Sequence, residues 1–523
     1  MSIDLAIDKL AKDGLAALAK SVAEERDRYI AEIDKLRSFV AQLQRAKFGA
    51  KSEKLGPDQL QLALEEMEQS AAAVEAAQDQ AEAEPAKPRA ARKPRTPIRG
   101  ALPSHLPRVH VTVEPEDKTC PCCGGEMHAM GEDVTEQLDV IPAQFQVIAI
   151  HRPKLACRCC GEAVVQAPAP ERPITGGMAT EGTLAHVLIS KYCDHLPLYR
   201  QALIYARQGI PLDRSTLADW VGRSCWWLTP LHQRLVATVL AADKIFADDT
   251  PIPVLDPGAG KTKTGRFWAY GHDDRPWQGP RPPAVVYLYS DNRKGEHPAE
   301  HLAGFKGVIQ VDGYACYNTI ARNARDKSII LAYCWAHARR KFFDLHKATD
   351  SPIAAGVLRR VAALYAIEAD IRGRPAEDRK AERQSRSRPL VLDMKAWLME
   401  RLGEISGKSK LAEHIRYVLG HWDGLCVFLD DGRVEMDTNT IERGMRPQKL
   451  TAKNALFAGS DGGARSWAIV ASLIESAKLN GVEPFAYLKD VLLRLVAGHP
   501  ISRLDELLPW NWKALAAAAQ PSR

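Results

Sequence analysis

The sequence predicts a multidomain α+β protein. It has an N-terminal helical coiled-coil segment, a four-cysteine zinc ribbon-like domain, a helical helix-turn-helix-like domain, and an α/β core with a helical insertion. Three observations carry this. An apolar heptad seam runs from Val22 to Leu43, two CxxC pairs follow, and five short β-rich runs crowd between residues 243 and 333. At 523 residues, the chain is long enough for several hydrophobic cores.

Residues 1–84 read as helix. Val22, Tyr29, Leu36 and Leu43 recur every seven residues, with Ile33 and Val40 at the complementary positions. That spacing forms a short zipper seam, and a helical hairpin packed on its own domain is the competing reading. Gly56-Pro57 breaks the helix, and a second Ala/Glu/Gln-rich helix follows. Residues 85–103 are a basic, Pro-rich linker. From Pro85 to Arg108 the chain carries seven Lys or Arg and no acid. Such a local excess neutralises phosphates and releases counterions, although a merely solvated linker has the same composition. The overall charge of +6 says little about partners by itself.

Residues 104–172 are predicted to bind zinc. Cys120-Pro-Cys-Cys123 and Cys157-Arg-Cys-Cys160 form two knuckles separated by 33 residues, each followed by glycine. A CxxC turn brings two thiolates to one ion, and two such turns complete a tetrahedral four-thiolate site. Cys120, Cys123, Cys157 and Cys160 are chosen as ligands because they give both knuckles the same spacing. A closed site of this kind stabilises a small fold and is not catalytic. Phe145–Ile150 reads as a strand within this unit.

Residues 173–240 turn helical. Leu198–Gln208, a Gly-Ile-Pro turn and a helix starting near an N-cap at Ser215 form a helix-turn-helix pattern. Arg207, Arg214 and Arg223 give it phosphate-binding potential. The same pattern also occurs as a purely structural pair.

Residues 241–483 hold the β-rich runs Lys244–Ala247, Arg266–Tyr270, Ala284–Tyr289, Gly307–Val311 and Ser328–Tyr333, then a helix from about His337. A mixed α/β sheet is the expected result of that pattern. Residues 350–430 read as a helical insertion, with a highly charged, mobile piece at Arg372–Arg388. Residues 484–523 form a helical tail. The longest apolar runs are too short to span a bilayer, and the N-terminus lacks a secretory signal. A cytoplasmic protein is therefore expected, with no membrane partner.

Two strand-like runs end in acids. Lys-Ile-Phe-Ala-Asp248-Asp249 closes on a doublet, and Gly-Val-Ile-Gln-Val-Asp312 ends at a glycine turn. Carboxylates at strand ends suit hard divalent cations, which take oxygen ligands. Glu435, Asp437 and Glu442 are all spaced to supply a third acid.

Taken together, these residues resemble transposases of the insertion sequence 66 family. The resemblance runs through Phe48-Gly-Ala-Lys-Ser-Glu-Lys54, the cysteine knuckles, His195-Leu-Pro-Leu-Tyr-Arg200, Ala247-Asp-Asp-Thr250 and Val311-Asp-Gly-Tyr314. It continues through Cys334-Trp-Ala-His-Ala-Arg-Arg340, Asn439-Thr-Ile-Glu-Arg443 with Arg446-Pro447, and Leu456-Phe-Ala-Gly-Ser460. It implies an RNase H-like catalytic core in which Asp248, Asp312 and Glu442 form the catalytic triad and bind Mg2+ or Mn2+. The family's usual Asp-Glu-Thr is Asp248-Asp249-Thr250 here, and strand alternation leaves only one of the doublet free to bind metal. It implies metal-dependent phosphodiester hydrolysis and strand transfer at the ends of an insertion sequence. The partners would be DNA (terminal inverted repeats and target), further copies of the chain, and small accessory proteins from the same element. On DNA the protein would be nucleoid-associated. The alternative is a zinc-containing DNA-binding regulator with an inactive RNase H-like domain.

Arg443, Arg446, Lys449 and Lys453 follow Glu442 at helical steps and are expected to meet phosphates, up to a kink or stop at Pro447. Cys334 and His337 resemble a motif of transposases with such insertions. Two visible ligands do not make a zinc site, so a packed Cys and a His satisfying a buried group is the simpler reading.

Overall fold

The structure is a computed structural model that describes residues 108, 144–156, 164–256, 259, 261–324 and 327–512. The zipper seam, the basic linker and the four cysteines of the knuckles lie outside the described residues. The chain divides into two compact units, 1–143 and 144–523. Apart from Arg108, every described residue belongs to the second unit.

A two-stranded antiparallel pair, β1 (Lys154–Ala156) and β2 (Val164–Gln166), comes first. Phe145–Ile150, read as a strand, is not one. Val147 is 95% exposed and Ile148 and Ile150 are exposed too, so only Phe145 packs, edge-on against Tyr205 at 5.0 Å, and no strand ladder forms.

Three helices follow: α1 (Glu181–Tyr192), α2 (Leu198–Arg207) and α3 (Arg214–Leu240). The helix-turn-helix connection is present, but α3 begins at Arg214 behind Asp213 rather than behind Ser215, and no side chain caps it. Leu228, Leu231, Leu235 and Val239 bury its C-terminal part in the main core. Its N-terminal part exposes Arg214, Arg223 and Trp226.

The central sheet has five strands in the order β5-β4-β3-β6-β7. These are β3 (Lys244–Asp256), β4 (Lys261–His272), β5 (Ala284–Ser290), β6 (Gly307–Val311) and β7 (Ile329–Tyr333). The first three are antiparallel, while β6 and β7 run parallel to β3. β3 and β4 extend several residues beyond their apolar runs because the polar ends still pair across the ladder, as Asp256 does with Lys261. Short helices α4 (Glu296–His301) and α5 (Ala315–Asn323) flank β6.

Helices α6 (Trp335–Thr349), α7 (Pro352–Ile371), α8 (Ala376–Glu382), α9 (Arg388–Glu404), α10 (Lys410–Gly420) and α11 (Trp422–Asp430) form a second cluster. Its core is Phe342, Val357, Leu364, Met394, Leu398 and their neighbours. The expected mobile piece at Arg372–Arg388 is instead an ordered helix, joined to α9 by a π-helical turn. The side chains of Arg379 and Arg383 are buried there. Glu368 accepts from both, and Glu435 accepts from Arg379 at 2.8 Å. Buried charges persist only when paired and hydrogen-bonded, and these are.

The chain returns to the sheet in α12 (Asn439–Ala455), α13 (Asp461–Leu479) and α14 (Pro484–Val496). Pro447 lies inside α12 and does not end it. The main core is continuous from Ile174 to Leu508, so α1–α3, the sheet, α13 and α14 share one interior. No helix among the described residues is long and apolar enough to cross a membrane.

Candidate active site

Strand register brings the first two acids together. β3 pairs with β6 through Lys244–Val308, Ile245–Ile309 and Phe246–Gln310. Continuing that register by two residues sets Asp248 beside Asp312 on neighbouring parallel strands, and in-register residues share a face of the sheet. Asp312 ends β6 in a turn. Its Oδ1 accepts the Tyr314 N–H at 2.9 Å, and Gly313 takes φ +105°. A Cβ on Gly313 would sit 2.8 Å from the Tyr417 hydroxyl, so only glycine lets the insertion close over this turn. That hydroxyl donates to the Asp312 carbonyl at 3.3 Å.

The acidic doublet divides. Asp249 accepts from Arg266 Nη1 at 2.8 Å and from Arg293 Nε and Nη2 at 3.0 and 2.9 Å. Its side chain is 3% exposed and saturated with cations. Asp248 has no cation partner among these, and its Oδ1 accepts the Asp249 N–H at 2.8 Å. Burial pushes the Asp248 carboxyl up to about 7. The negative charges of Asp312, Asp249 and Glu442 add to that rise, while the Asp249 N–H opposes it. Asp312 and Glu442 therefore both lie within electrostatic reach of Asp248.

Glu442 stands in the first turn of α12, which packs on β3 and β4. The segment before it is tied down by several bonds. Gln310, buried in β6, donates to the Glu435 carbonyl at 2.9 Å and accepts the Glu435 N–H at 3.0 Å. Lys244 Nζ donates to the Arg433 carbonyl at 2.9 Å, and the Trp335 N–H donates to the Met436 carbonyl at 2.9 Å. The other two acids of this stretch are engaged differently. Glu435 pairs with Arg379, and Asp437 accepts the Asn439 N–H at 3.1 Å.

Glu442 Oε1 accepts from Thr438 Oγ1 at 2.9 Å and lies 3.7 Å from His337 Nδ1. Cys334, at the N-cap of α6, is buried, and its sulfur accepts the Thr438 N–H at 3.4 Å. Burial pushes this thiol up to about 11. Among the described residues, ligating atoms of Cys334, His337 and Glu442 lie within 4.8 Å of one another. The carboxylate of Glu442 is thus turned toward the CxxH pair, and among the described residues it is not gathered with Asp248 and Asp312 into one cluster of ligating atoms, although its charge is felt at Asp248. Sequence spacing could not supply that third ligand, which comes from 105 residues beyond His337.

Arg446 and Lys449 are exposed and continue the Glu442 face of α12 at steps of four and three. Arg443 is exposed but lies one residue off that face, on a cleft shared with Arg275, Arg372 and Glu475. Arg207 and Arg214 are exposed on α2 and α3. Arg223 pairs with Asp219 at 2.8 Å.

Sequence reading missed Gln310, Thr438, Arg266, Arg293 and Tyr417. An amide inside the apolar run Val-Ile-Gln-Val was a usable signal for Gln310. Nothing local pointed to the arginines.

Residues 176–466 match the family model described as Transposase IS66 family. Residues 117–161 match the zinc-finger binding domain of transposase IS66, and residues 472–510 match the IS66 C-terminal element. Residues 35–111 match the model described as Transposase C of IS166 homeodomain. Similar full-length proteins occur in Sinorhizobium fredii (strain NBRC 101917 / NGR234). The uncharacterized protein y4jD is 48% identical over 92% of this chain and 94% of its own length. The uncharacterized protein y4qI is 41% identical over 95% of this chain and 92% of its own. With the family model covering more than half of its length and such relatives matching it nearly end to end, the chain belongs to the IS66 transposase family.

Proposed function

We propose that this protein is a DNA transposase of the three-carboxylate type, cutting and joining DNA at the ends of an insertion sequence. The observation that carries this reading is the β3–β6 register, which sets Asp248 beside Asp312, together with the charge of Glu442 acting on Asp248. An RNase H-like core is the matching fold. Three antiparallel strands followed by two parallel ones, with a helix returning the third acid, support it.

The donor set suits hard divalent cations of the Mg2+ or Mn2+ type, because all three groups offer carboxylate oxygens at rigid element ends. When bound, such ions activate the attacking oxygen and stabilise the leaving one in an in-line displacement. Asp248 and Asp312 hold that site and Glu442 completes it. Asp249 is excluded, because Arg266 and Arg293 occupy its oxygens. Water attacks the phosphodiester and frees a 3′-hydroxyl, which then attacks target DNA. No Ser or Tyr nucleophile is needed. Arg446 and Lys449 meet the backbone beside the cut, and Arg207, Arg214 and Arg223 on α2 and α3 contact DNA further away. Cys120, Cys123, Cys157 and Cys160 hold a structural zinc ion, and the N-terminal zipper joins two copies so that two DNA ends meet. Small accessory proteins from the same element are further partners.

The deciding experiment is a cleavage and strand-transfer assay on element-end DNA with Mg2+. Wild type is expected to cut and join, and Asp312→Asn to lose both while still binding DNA. Binding without cutting in the wild type would favour a DNA-binding regulator. Cutting that survives Asp312→Asn would remove the triad from the chemistry.

A further inference from the structure

We propose that Cys334, His337 and Glu442 form a second metal site, which takes a borderline divalent ion of the zinc class. The site is distinct from the hard-cation site and shares one carboxylate with it. Three features of different kinds point to it.

The first is ligand chemistry and spacing. A thiol, an imidazole and a carboxylate present ligating atoms within 4.8 Å of one another. Bonds of the lengths zinc makes to N, O and S put tetrahedral ligand atoms about 3.3–3.7 Å apart. His337 Nδ1 and Glu442 Oε1 are 3.7 Å apart, too long for a hydrogen bond and suited to two ligands of one ion.

The second is an unmet need. His337 Nδ1 is buried and has no hydrogen-bond partner in the protein. An orphaned ring nitrogen facing a carboxylate and a thiol gains most from an ion between them.

The third is the outer shell. Thr438 donates its N–H to the Cys334 sulfur and its hydroxyl to Glu442, so one buried residue orients two of the three ligands. Outer-shell donors of this kind fix metal ligands. Cys334 sits at the rigid start of α6 and Glu442 in the first turn of α12, so both ligands stand on fixed backbone. On binding, the thiol proton leaves to solvent and the thiolate is neutralised by the ion. Three protein ligands leave the fourth position open, unlike a closed four-thiolate site.

Binding here goes beyond the proposed activity, since it requires no DNA cutting. The test uses the full chain with its first zinc equivalent in place, titrated with Co2+ as a coloured zinc substitute. With Mg2+ in excess to occupy the hard-cation site, the expected result is one further equivalent, with a sulfur-to-cobalt band in the near ultraviolet and tetrahedral visible absorption. Cys334→Ser loses the sulfur band, and His337→Ala weakens Co2+ binding at least tenfold. His337 is partly exposed, so that variant keeps the fold even if Cys334→Ser does not. No second equivalent in the wild type, or a sulfur band and affinity unchanged in the variants, overturns the site. Because the readout is spectroscopic, its failure is separate from failure of the cleavage assay.

Discussion

Arg293 donates two hydrogen bonds to the Asp249 carboxylate, at 2.9 and 3.0 Å, and lies 3.9 Å over the ring of Tyr314. Tyr314 in turn donates its N–H to Asp312. Asp249 therefore clamps the loop after β5 against the turn that carries Asp312, while its neighbour Asp248 points to the other side of β3 and feels the charges of Asp312 and Glu442. The two halves of the doublet should separate under mutation. Asp249→Ala removes the shared partner of the part-buried Arg266 and the more exposed Arg293 and is expected to cost about 1–3 kcal/mol of stability. Asp248→Asn should not lower stability and should abolish cleavage. Urea unfolding of both variants beside the cleavage assay tests the division. It fails if Asp249→Ala unfolds like wild type and loses only metal dependence.

Asp248 also predicts a pH dependence. Its folded pKa, pushed by burial to about 7, lies above the ordinary carboxylate value of 3.8. The folded protein thus holds a proton on Asp248 that the unfolded chain releases. Stability from this group is present below pH 4 and falls as pH rises toward 7. Without added hard cations, Asp248→Asn should melt above wild type at pH 8, by roughly 1–3 kcal/mol, and match it near pH 4. Mg2+ must displace that proton, so Mg2+ affinity should rise with pH up to about 7 and then level off. A pH-independent difference between the two melting curves would contradict the assignment.

Gln310 predicts a coupling between fold and site. Its amide satisfies both backbone groups of Glu435 from within the sheet, seven residues before Glu442. Gln310→Leu keeps the strand but removes the partner of both part-buried backbone groups of Glu435, at about 1–3 kcal/mol in all. The expected phenotype is a lower urea midpoint together with a reduced cleavage rate, without a change in DNA affinity. Normal cleavage in a destabilised Gln310→Leu would show that the start of α12 is positioned by other contacts.

What the sequence made legible was whatever depends on local pattern. The β-rich runs fell in the observed strands because β-branched and aromatic composition acts within a few residues. Asp248 and Asp312 were visible as acids closing such runs. The choice between Asp248 and Asp249 was not, because Arg266 and Arg293 stand 17 and 44 residues away from Asp249. The same holds for Glu435, whose spacing matched a third acid until Arg379 claimed it across the insertion. Arg372–Arg388 was misread because charge density looks the same whether solvated or paired in a core. Phe145–Ile150 failed in the opposite sense, an apolar run that packs on the core only through Phe145.

The face of α12 beyond Glu442 gives the remaining prediction. Arg446 and Lys449 continue that face, whereas Arg443 opens onto the cleft with Arg275 and Arg372. A cation that neutralises a phosphate releases counterions, so each lost contact should lower the salt slope of binding by about 0.9. Arg446→Ala and Lys449→Ala are each expected to reduce the slope by that amount and to weaken binding similarly on any DNA sequence. Arg443→Ala should leave the slope unchanged, because its guanidinium is directed elsewhere. Fluorescence anisotropy with element-end DNA over a range of salt concentrations reads all three. Equal slope changes for Arg443 and Arg446 would mean that DNA wraps α12 on both sides rather than along the Glu442 face alone.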